Sequence, residues 1–289
     1  MPRLFSGMAG PPFDCRSMPM GRDFPRTTCG IVLDIGEYGE ADKLVTLYSQ
    51  DLGRLTAIAK GAKKSKQRFV NKLEPYSRLD LSYQPPRSSS GLYFLQEAEL
   101  LEAHLPLRED HRRYIAASHF SELILRFTRE QDPDPALYSL ISWTLDNLSV
   151  AHAPMQTTVF VLVHLLGLLG YRPDLNACGR CHRPVQSPHA YFLLPGNGSL
   201  LCTACQPKTV PFPQLSVQTL LTLARAQSTP LDRLPRLHLS GPGITEALDA
   251  LHTYFLHLLQ QDIHSWKLLH TLVHPPPAGN RAPREIKTQ

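Results

Sequence analysis

Long apolar runs are missing from this chain. Its most apolar stretch, Val159 to Leu169, contains His164 and falls well short of the roughly 20 residues needed to cross a bilayer as a helix. No membrane partner is expected. A secretory leader is missing too: Met1 to Pro25 is rich in Pro, Gly and Met but has no continuous apolar core. That segment reads as a disordered extension, with Met18 or Met20 as credible alternative starts. Enzyme signatures are also lacking. The sequence has no phosphate-loop glycine motif, no nucleophile elbow and no HExxH pair. Asp34, Glu37, Glu40 and Asp42 are close in sequence, but the intervening Gly36-Glu37-Tyr38-Gly39 favours a solvated turn over a catalytic or metal site. The thirteen histidines are scattered. His111, His119, His152 and His164 fall at helical positions and read as buried or surface groups. The net charge of +5 is mild and by itself points to no acidic partner. No internal repeat is present.

Cysteine is scarce as well, with six in 289 residues, yet four of the six are organised. Cys178 and Cys181 form one CxxC pair, and Cys202 and Cys205 another. Thiolates at this spacing converge on one tetrahedral ion, and the separation of the pairs fits a four-cysteine zinc pattern. Gly179 relaxes the first knuckle; Thr203 and Ala204 keep the second small. Between the pairs, Tyr191 to Leu194 and Ser199 to Leu201 flank Pro195-Gly196-Asn197-Gly198, a hairpin signal. The layout is that of a zinc ribbon holding one Zn2+. Two disulfides or free thiols are the alternatives, and His182 and His189 are substitute ligands that a full set of four cysteines does not require. Four protein ligands leave no open position, so the expected role is structural. Reduced thiols imply a cytoplasmic protein.

The chain is 42% hydrophobic and long enough for two domains. Up to about residue 104 it reads as strands. Cys29 to Ile35, Leu44 to Ser49 and Arg54 to Ala59 are apolar and β-branched, with a turn at Asp51-Leu52-Gly53. Tyr76 to Tyr83 alternates, placing Leu79, Leu81 and Tyr83 on one face. Pro85 to Gly91 is a loop, and Leu92 to Gln96 is a fifth strand. Five short strands suit a small closed barrel, since closure removes exposed edges. From Pro106 the period becomes helical. Tyr114, Ala117, Phe120, Ile124 and Phe127 form one stripe, and Ile244, Leu248, Leu251, Phe255 and Leu258 another; both predict core faces. Helices are also expected from about Ala136 to Leu148, from Pro154 to near Gly170, and from Ser216 to Ala226. The fold class is therefore α+β and multidomain. The expected boundaries are 1–26 for the extension, 27–104 for the barrel, 105–274 for the helical domain with the ribbon at 176–208, and 275–289 for a disordered tail.

Lysine is sparse but concentrated: five of nine lie between Lys60 and Lys72. Lys60, Lys63, Lys64, Lys66, Arg68 and Lys72 fall on the connection between the third and fourth strands. Cations there neutralise phosphates and release counterions with little sequence preference. Tyr48, Phe69, Tyr76 and Tyr83 lie near enough in sequence to offer stacking surfaces for bases. The bland alternative is a solubilising charged loop.

The ordered set of segments resembles the RecO family of bacterial DNA repair proteins. It comprises Gly30-Ile31-Val32-Leu33-Asp34, Tyr38 to Leu47, Gly53 to Ser65, the cysteine quartet, and His264-Ser265-Trp266-Lys267. The resemblance implies an oligonucleotide-binding (OB) barrel followed by a helical domain carrying the zinc ribbon. It also implies a mediator of homologous recombination and not an enzyme. Such a protein binds single- and double-stranded DNA, anneals complementary strands and engages the acidic, apolar-ended tail of single-strand binding protein (SSB). With RecR it helps load RecA onto SSB-coated DNA, which places it with the nucleoid. The loop Lys60 to Lys72 would form part of the DNA surface. Arg112, Arg113, Arg126 and Arg129 are candidates for the SSB tail or ordinary surface charges. The competing reading is a zinc-ribbon transcription or translation factor in which the ribbon, with Arg180, His182, Arg183 and Lys208, reads nucleic acid.

Overall fold

The structure, a computed structural model, describes residues 26–86, 91–187, 189–206 and 212–275. The expected N-terminal extension, most of the Pro85 to Gly91 loop, Lys208 and the tail beyond Pro275 lie outside the described residues. Two compact units are present. One takes the chain up to Ala103 together with Arg129–Pro135; the other takes His104–Thr128 and the chain from Ala136 onward.

The first unit is a closed five-stranded barrel. Its strands are β1 (Arg26–Tyr38), β2 (Asp42–Ser49), β3 (Gly53–Ala59), β4 (Arg78–Gln84) and β5 (Tyr93–Glu102), in the order β1-β2-β3-β5-β4 with β1 closing on β4. The parallel pairing of β3 with β5 brings Ile58 opposite Phe94. That order is the one expected of an OB barrel. β1 runs further than its sequence suggests because a register shift between Val32 and Asp34 lets one strand serve two neighbours. The inward positions Val32, Val45, Leu47, Leu55, Ala57, Leu79, Leu81 and Leu95 form one core cluster.

Arg129–Pro135 covers the start of β3. Gln131 donates its backbone N–H to the Arg54 carbonyl at 2.8 Å, and the Thr56 hydroxyl donates to Glu130 at 2.7 Å. The Asp134 amide donates to the Tyr48 hydroxyl at 3.1 Å. Only glycine fits beneath this segment at position 53. Gly53 has φ +68, and a Cβ there would lie 2.3 Å from the Asp132 carbonyl oxygen. Gly53→Ala is therefore expected to lower stability by roughly 2 to 4 kcal/mol, from backbone strain plus displacement of the segment. Gly39→Ala, also at positive φ (+62) but facing open space, carries only the roughly 1 to 2 kcal/mol backbone cost. Urea midpoints of the two variants check the difference. Equal midpoints would show that packing against Asp132 carries no weight.

The second unit is helical: α1 (Leu105–Glu109), α2 (His111–Phe127), α3 (Pro135–Val150), α4 (Pro154–Leu168), α5 (Val217–Ala226), α6 (Gly241–Leu259) and α7 (Trp266–Val273). α4 is buried through its middle, Thr158 to Val163 and Leu165 to Leu166. The chain's most apolar stretch is thus a central core helix. Among the described residues no helix is long and apolar enough to cross a membrane. Asp110 caps α2 by accepting from the Arg112 and Arg113 amides at 2.8 and 3.1 Å, while Ser216 and Ser240 cap α5 and α6. Ala117, Phe120 and Ile124 are buried as the stripe predicts, but Tyr114 is exposed.

The short helix α7 is held by a remote acid. Glu122 of α2 accepts from the His264 and Ser265 amides at 2.9 and 2.8 Å and from the Ser265 hydroxyl, and pairs with Arg126 at 2.6 Å. His119 Nδ1 lies 2.9 Å from that same hydroxyl, and Trp266 stacks on His252 at 4.0 Å. Burial, and then the neighbouring His252, hold His119 down at about 4. Burial is also the main cause that lowers His252 to about 4. Burial works to raise the Glu122 carboxyl, but the Ser265 hydroxyl, the Ser265 and His264 amides and Arg126 outweigh it and hold it at about 2. In each case the folded value lies below the unfolded one, so the unfolded chain takes up protons first as pH falls. Stability should be full above about pH 6.5 and decline toward pH 4 as the histidines charge. Glu122 adds a further loss below about pH 4.5. For fully buried His119 the decline amounts to about 3 kcal/mol. Denaturant midpoints from pH 7 to pH 4 report it, and a flat profile would contradict the assignment.

Candidate nucleic-acid interface and candidate metal centre

The connection between β3 and β4 carries the basic residues, and it is anchored to the barrel. Ala62, Phe69 and Leu73 insert into the barrel core. The Gly61 amide donates to Asp42 at 2.7 Å, and the Lys63 amide to the Ala41 carbonyl at 3.0 Å. The Ser65 hydroxyl accepts from the Phe69 amide at 3.1 Å. Lys43 reaches the Leu73 carbonyl and Glu74, both at 3.3 Å. The backbone that presents the cations is thus held in one conformation by its own apolar and polar contacts.

The six basic side chains have different surroundings. Lys64 and Lys66 are exposed, and their ammonium groups have no hydrogen-bond or ion-pair partner among the described residues. Lys60 is exposed with its ammonium 4.9 Å above the Phe94 ring. Arg68 lies against the Phe69 ring and donates to the Lys60 and Gln96 carbonyls at 3.3 and 3.4 Å. Lys63 pairs with Glu37 at 3.4 Å and donates to the Gly39 carbonyl. Lys72 is half-buried, donating to the Ala98 and Gln67 carbonyls at 2.8 and 3.1 Å. Beside Lys72, a concavity of about 400 Å³ is lined by Asp80, Glu97 and Glu99. A polyanion is repelled from that side, so the cationic surface is centred on Lys60, Lys64, Lys66 and Arg68.

The expected stacking aromatics are a correction. Tyr48, Phe69, Tyr76 and Tyr83 are all buried, at 0%, 3%, 3% and 6% exposure; Phe69 and Tyr83 pack in the barrel core, and Tyr48, on the face opposite Leu47, lies under the Asp134 amide. The aromatic that sequence reasoning missed is Phe94, part-exposed beneath Lys60. Its signal was the alternation on β5, where Tyr93 and Leu95 point inward and Phe94 outward. Two of the arginine candidates are also engaged internally. Arg113 donates to the Leu148 and Ser149 carbonyls at the end of α3, and Arg126 pairs with Glu122.

The cysteine quartet converges as its spacing predicts. β6 (Ala190–Leu193) pairs with β7 (Leu200–Cys202) on one side and with β8 (Gln214–Ser216) on the other. The first knuckle closes through the His182 amide to the Cys178 carbonyl at 2.8 Å, with His182 at φ 57. The second closes through the Cys205 and Gln206 amides to the Cys202 carbonyl at 2.9 and 3.0 Å. All four sulfurs lie within 4.8 Å of one another, and Cys181 Sγ is 3.9 Å from Cys202 Sγ. A tetrahedron with metal–sulfur bonds of about 2.3 Å has edges of about 3.8 Å, so the cluster matches a metal cage. Burial opposes ionisation of Cys178, yet the Cys181, Cys202 and Arg180 amides bring its thiol down to about 6. Desolvation, then its neighbours Cys202, Cys181 and Cys178, push Cys205 up to about 12. Four sulfurs this close cannot all ionise unless a cation sits among them, and the donor set fits one. Tyr191, Leu200 and Leu215 bury the ribbon's inner face. Arg180 donates to the Cys205 carbonyl at 3.3 Å, which turns one of the ribbon's cations toward the cage.

Comparison with known proteins accords with both halves of this description. Residues 25–104 match the family model for the N-terminal part of recombination protein O, and residues 108–267 match the model for its C-terminal part. The chain is 32% identical over 242 residues to the DNA repair protein RecO of Syntrophobacter fumaroxidans, covering 84% of this chain and 96% of the relative. It is 29% identical over 247 residues to that of Syntrophus aciditrophicus, covering 84% and 94%. It is 33% identical over 234 residues to that of an Anaeromyxobacter strain, covering 80% and 90%. With barrel, helical unit and both family models in register along one sequence, the chain belongs to the RecO family of DNA repair proteins.

Proposed function

We propose that this chain is a recombination mediator and not an enzyme. It binds single- and double-stranded DNA, anneals complementary strands and, with RecR, helps load RecA onto DNA coated with SSB, in the cytoplasm at the nucleoid. The observation that carries the reading is the anchored cationic loop of an OB barrel, with Lys64 and Lys66 unpaired among the described residues, in a chain of the RecO family. Annealing requires two polyanions to approach. Fixed cations lower that repulsion, and ordering them beforehand limits the entropy lost on binding.

The cysteine cage holds one structural Zn2+ in this reading. Cys178, Cys181, Cys202 and Cys205 supply all four ligands, and the ion's contribution is to clamp the ribbon. For the SSB tail, acidic and apolar at its end, an apolar groove of about 450 Å³ is a suitable receptor. It is lined by Leu140, Val163, Leu168 and Leu231, with Arg172 at its rim.

The test is annealing of complementary oligonucleotides precoated with SSB, with and without ATP. Acceleration that needs no nucleotide supports a mediator. No acceleration, or strict dependence on ATP, contradicts it.

A further inference from the structure

A second constellation of metal-ligating side chains lies in the helical unit and shares no residue with the cysteine cage. His270 is on α7 and His274 caps its C-terminal end, one turn later, so both imidazoles project from the same side. Asp249 reaches them from α6. One ligand atom from each of these three residues lies within 4.8 Å of the other two. His274 Nε2 is 3.0 Å from both Asp249 carboxylate oxygens, and the two imidazole rings are 4.3 Å apart between centroids.

The surroundings hold these groups in place. His270 packs edge-on against Trp266 at 5.6 Å, and Trp266 is itself stacked on His252. The Thr245 hydroxyl lies 3.4 Å from the Val273 carbonyl, a further link between α6 and the end of α7. Both histidines are exposed, so an ion reaches the site without any opening of the fold.

We infer that Asp249, His270 and His274 form a second, exchangeable site for a borderline divalent metal of the zinc class. Two imidazoles and one carboxylate suit Zn2+, Co2+ or Ni2+, whereas Mg2+ and Ca2+ prefer all-oxygen shells. Ligand bonds of about 2.1 Å require ligand atoms about 3.4 Å apart. The Asp249–His274 pair already meets this, and the remaining separations close by little more than about 1 Å through rotation of exposed side chains. Three protein ligands leave a coordination position for water, unlike the closed four-thiolate cage. The ion would staple the last turn of α7 to α6. Without it, the same groups form a His–Asp hydrogen bond beside a ring stack.

Tag-free full-length protein carrying its cysteine-bound metal is titrated with Zn2+ against a chromophoric chelator. One further equivalent should bind. His270→Ala and His274→Ala should each weaken it by roughly 100-fold or more, and Asp249→Asn by at least roughly tenfold, while the thiolate-held ion stays bound. The exposed His274→Ala tests the site with the least disturbance to folding, which thermal unfolding verifies. In a Co2+ titration the second equivalent should lack thiolate charge-transfer absorption. Binding of no second equivalent, or of one that survives all three substitutions, overturns the inference.

Discussion

Cys178→Ser abolishes metal binding at the cage and releases the ribbon, leaving the helices largely formed. Cys178 is fully buried and accepts from the Cys202 amide at 3.5 Å, so the substitution removes both a ligand and the sulfur around which the first knuckle winds. In small finger peptides a structural zinc contributes roughly 10 to 16 kcal/mol apparent. Here the ribbon also has Tyr191 and Leu215 buried in pairing between β6 and β8, so the loss should be a fraction of that. Metal analysis should fall from one cage-bound ion per chain to none. Limited proteolysis should cut between residues 178 and 206 well before the helices, and far-UV circular dichroism should change little. Full retention of the cage ion would refute the ligand assignment. Simultaneous loss of all helical signal would show that the ribbon nucleates the whole unit. Chelation of the wild-type protein should reproduce the proteolytic pattern.

The second large effect is on DNA affinity. Removing one phosphate-neutralising cation should lower the salt slope by about 0.7 to 0.9, which is roughly five- to eightfold in affinity between about 0.1 M and 1 M salt. Replacing Lys60, Lys64 and Lys66 together by Ala should therefore weaken binding at about 0.1 M salt on the order of 100-fold and slow annealing with it. Lys72→Ala should behave differently. Its ammonium is bonded to the Ala98 and Gln67 carbonyls, so the substitution should reduce stability and barely alter the slope. Lys63, paired with Glu37, should fall between the two. Affinity measured against salt for the triple variant and for Lys72→Ala separates these cases. Identical slopes for all variants and wild type would remove the loop from the DNA surface.

The barrel was legible because alternation at Leu79, Leu81 and Tyr83 and the turn at Gly53 are local signals. The cysteine cage was legible because metal geometry dictates ligand spacing. What escaped depends on distant partners. β8 exists through pairing with β6 inside the ribbon, and its three residues carry no period of their own. α7 is short, and its N-terminus is satisfied by Glu122, more than a hundred positions earlier. The roles of the basic residues were blurred for the same reason. Lys72 and Lys64 look alike in sequence, and only the carbonyls of Ala98 and Gln67 distinguish them. The aromatics near the loop were assigned outward because sequence gives their number but neither the register that points Tyr83 inward nor the distant strip that covers Tyr48.

The strip Arg129–Pro135, which seals the mouth of β3, has a consequence for biosynthesis. A ribosome releases β5 long before it releases this strip, because α1 and α2 are translated in between. The nascent barrel must therefore persist with Gly53 and the Tyr48 hydroxyl uncovered until roughly thirty further residues have emerged, which takes about two to six seconds at bacterial elongation rates. The first module of this protein is thus finished only after synthesis of the second has begun.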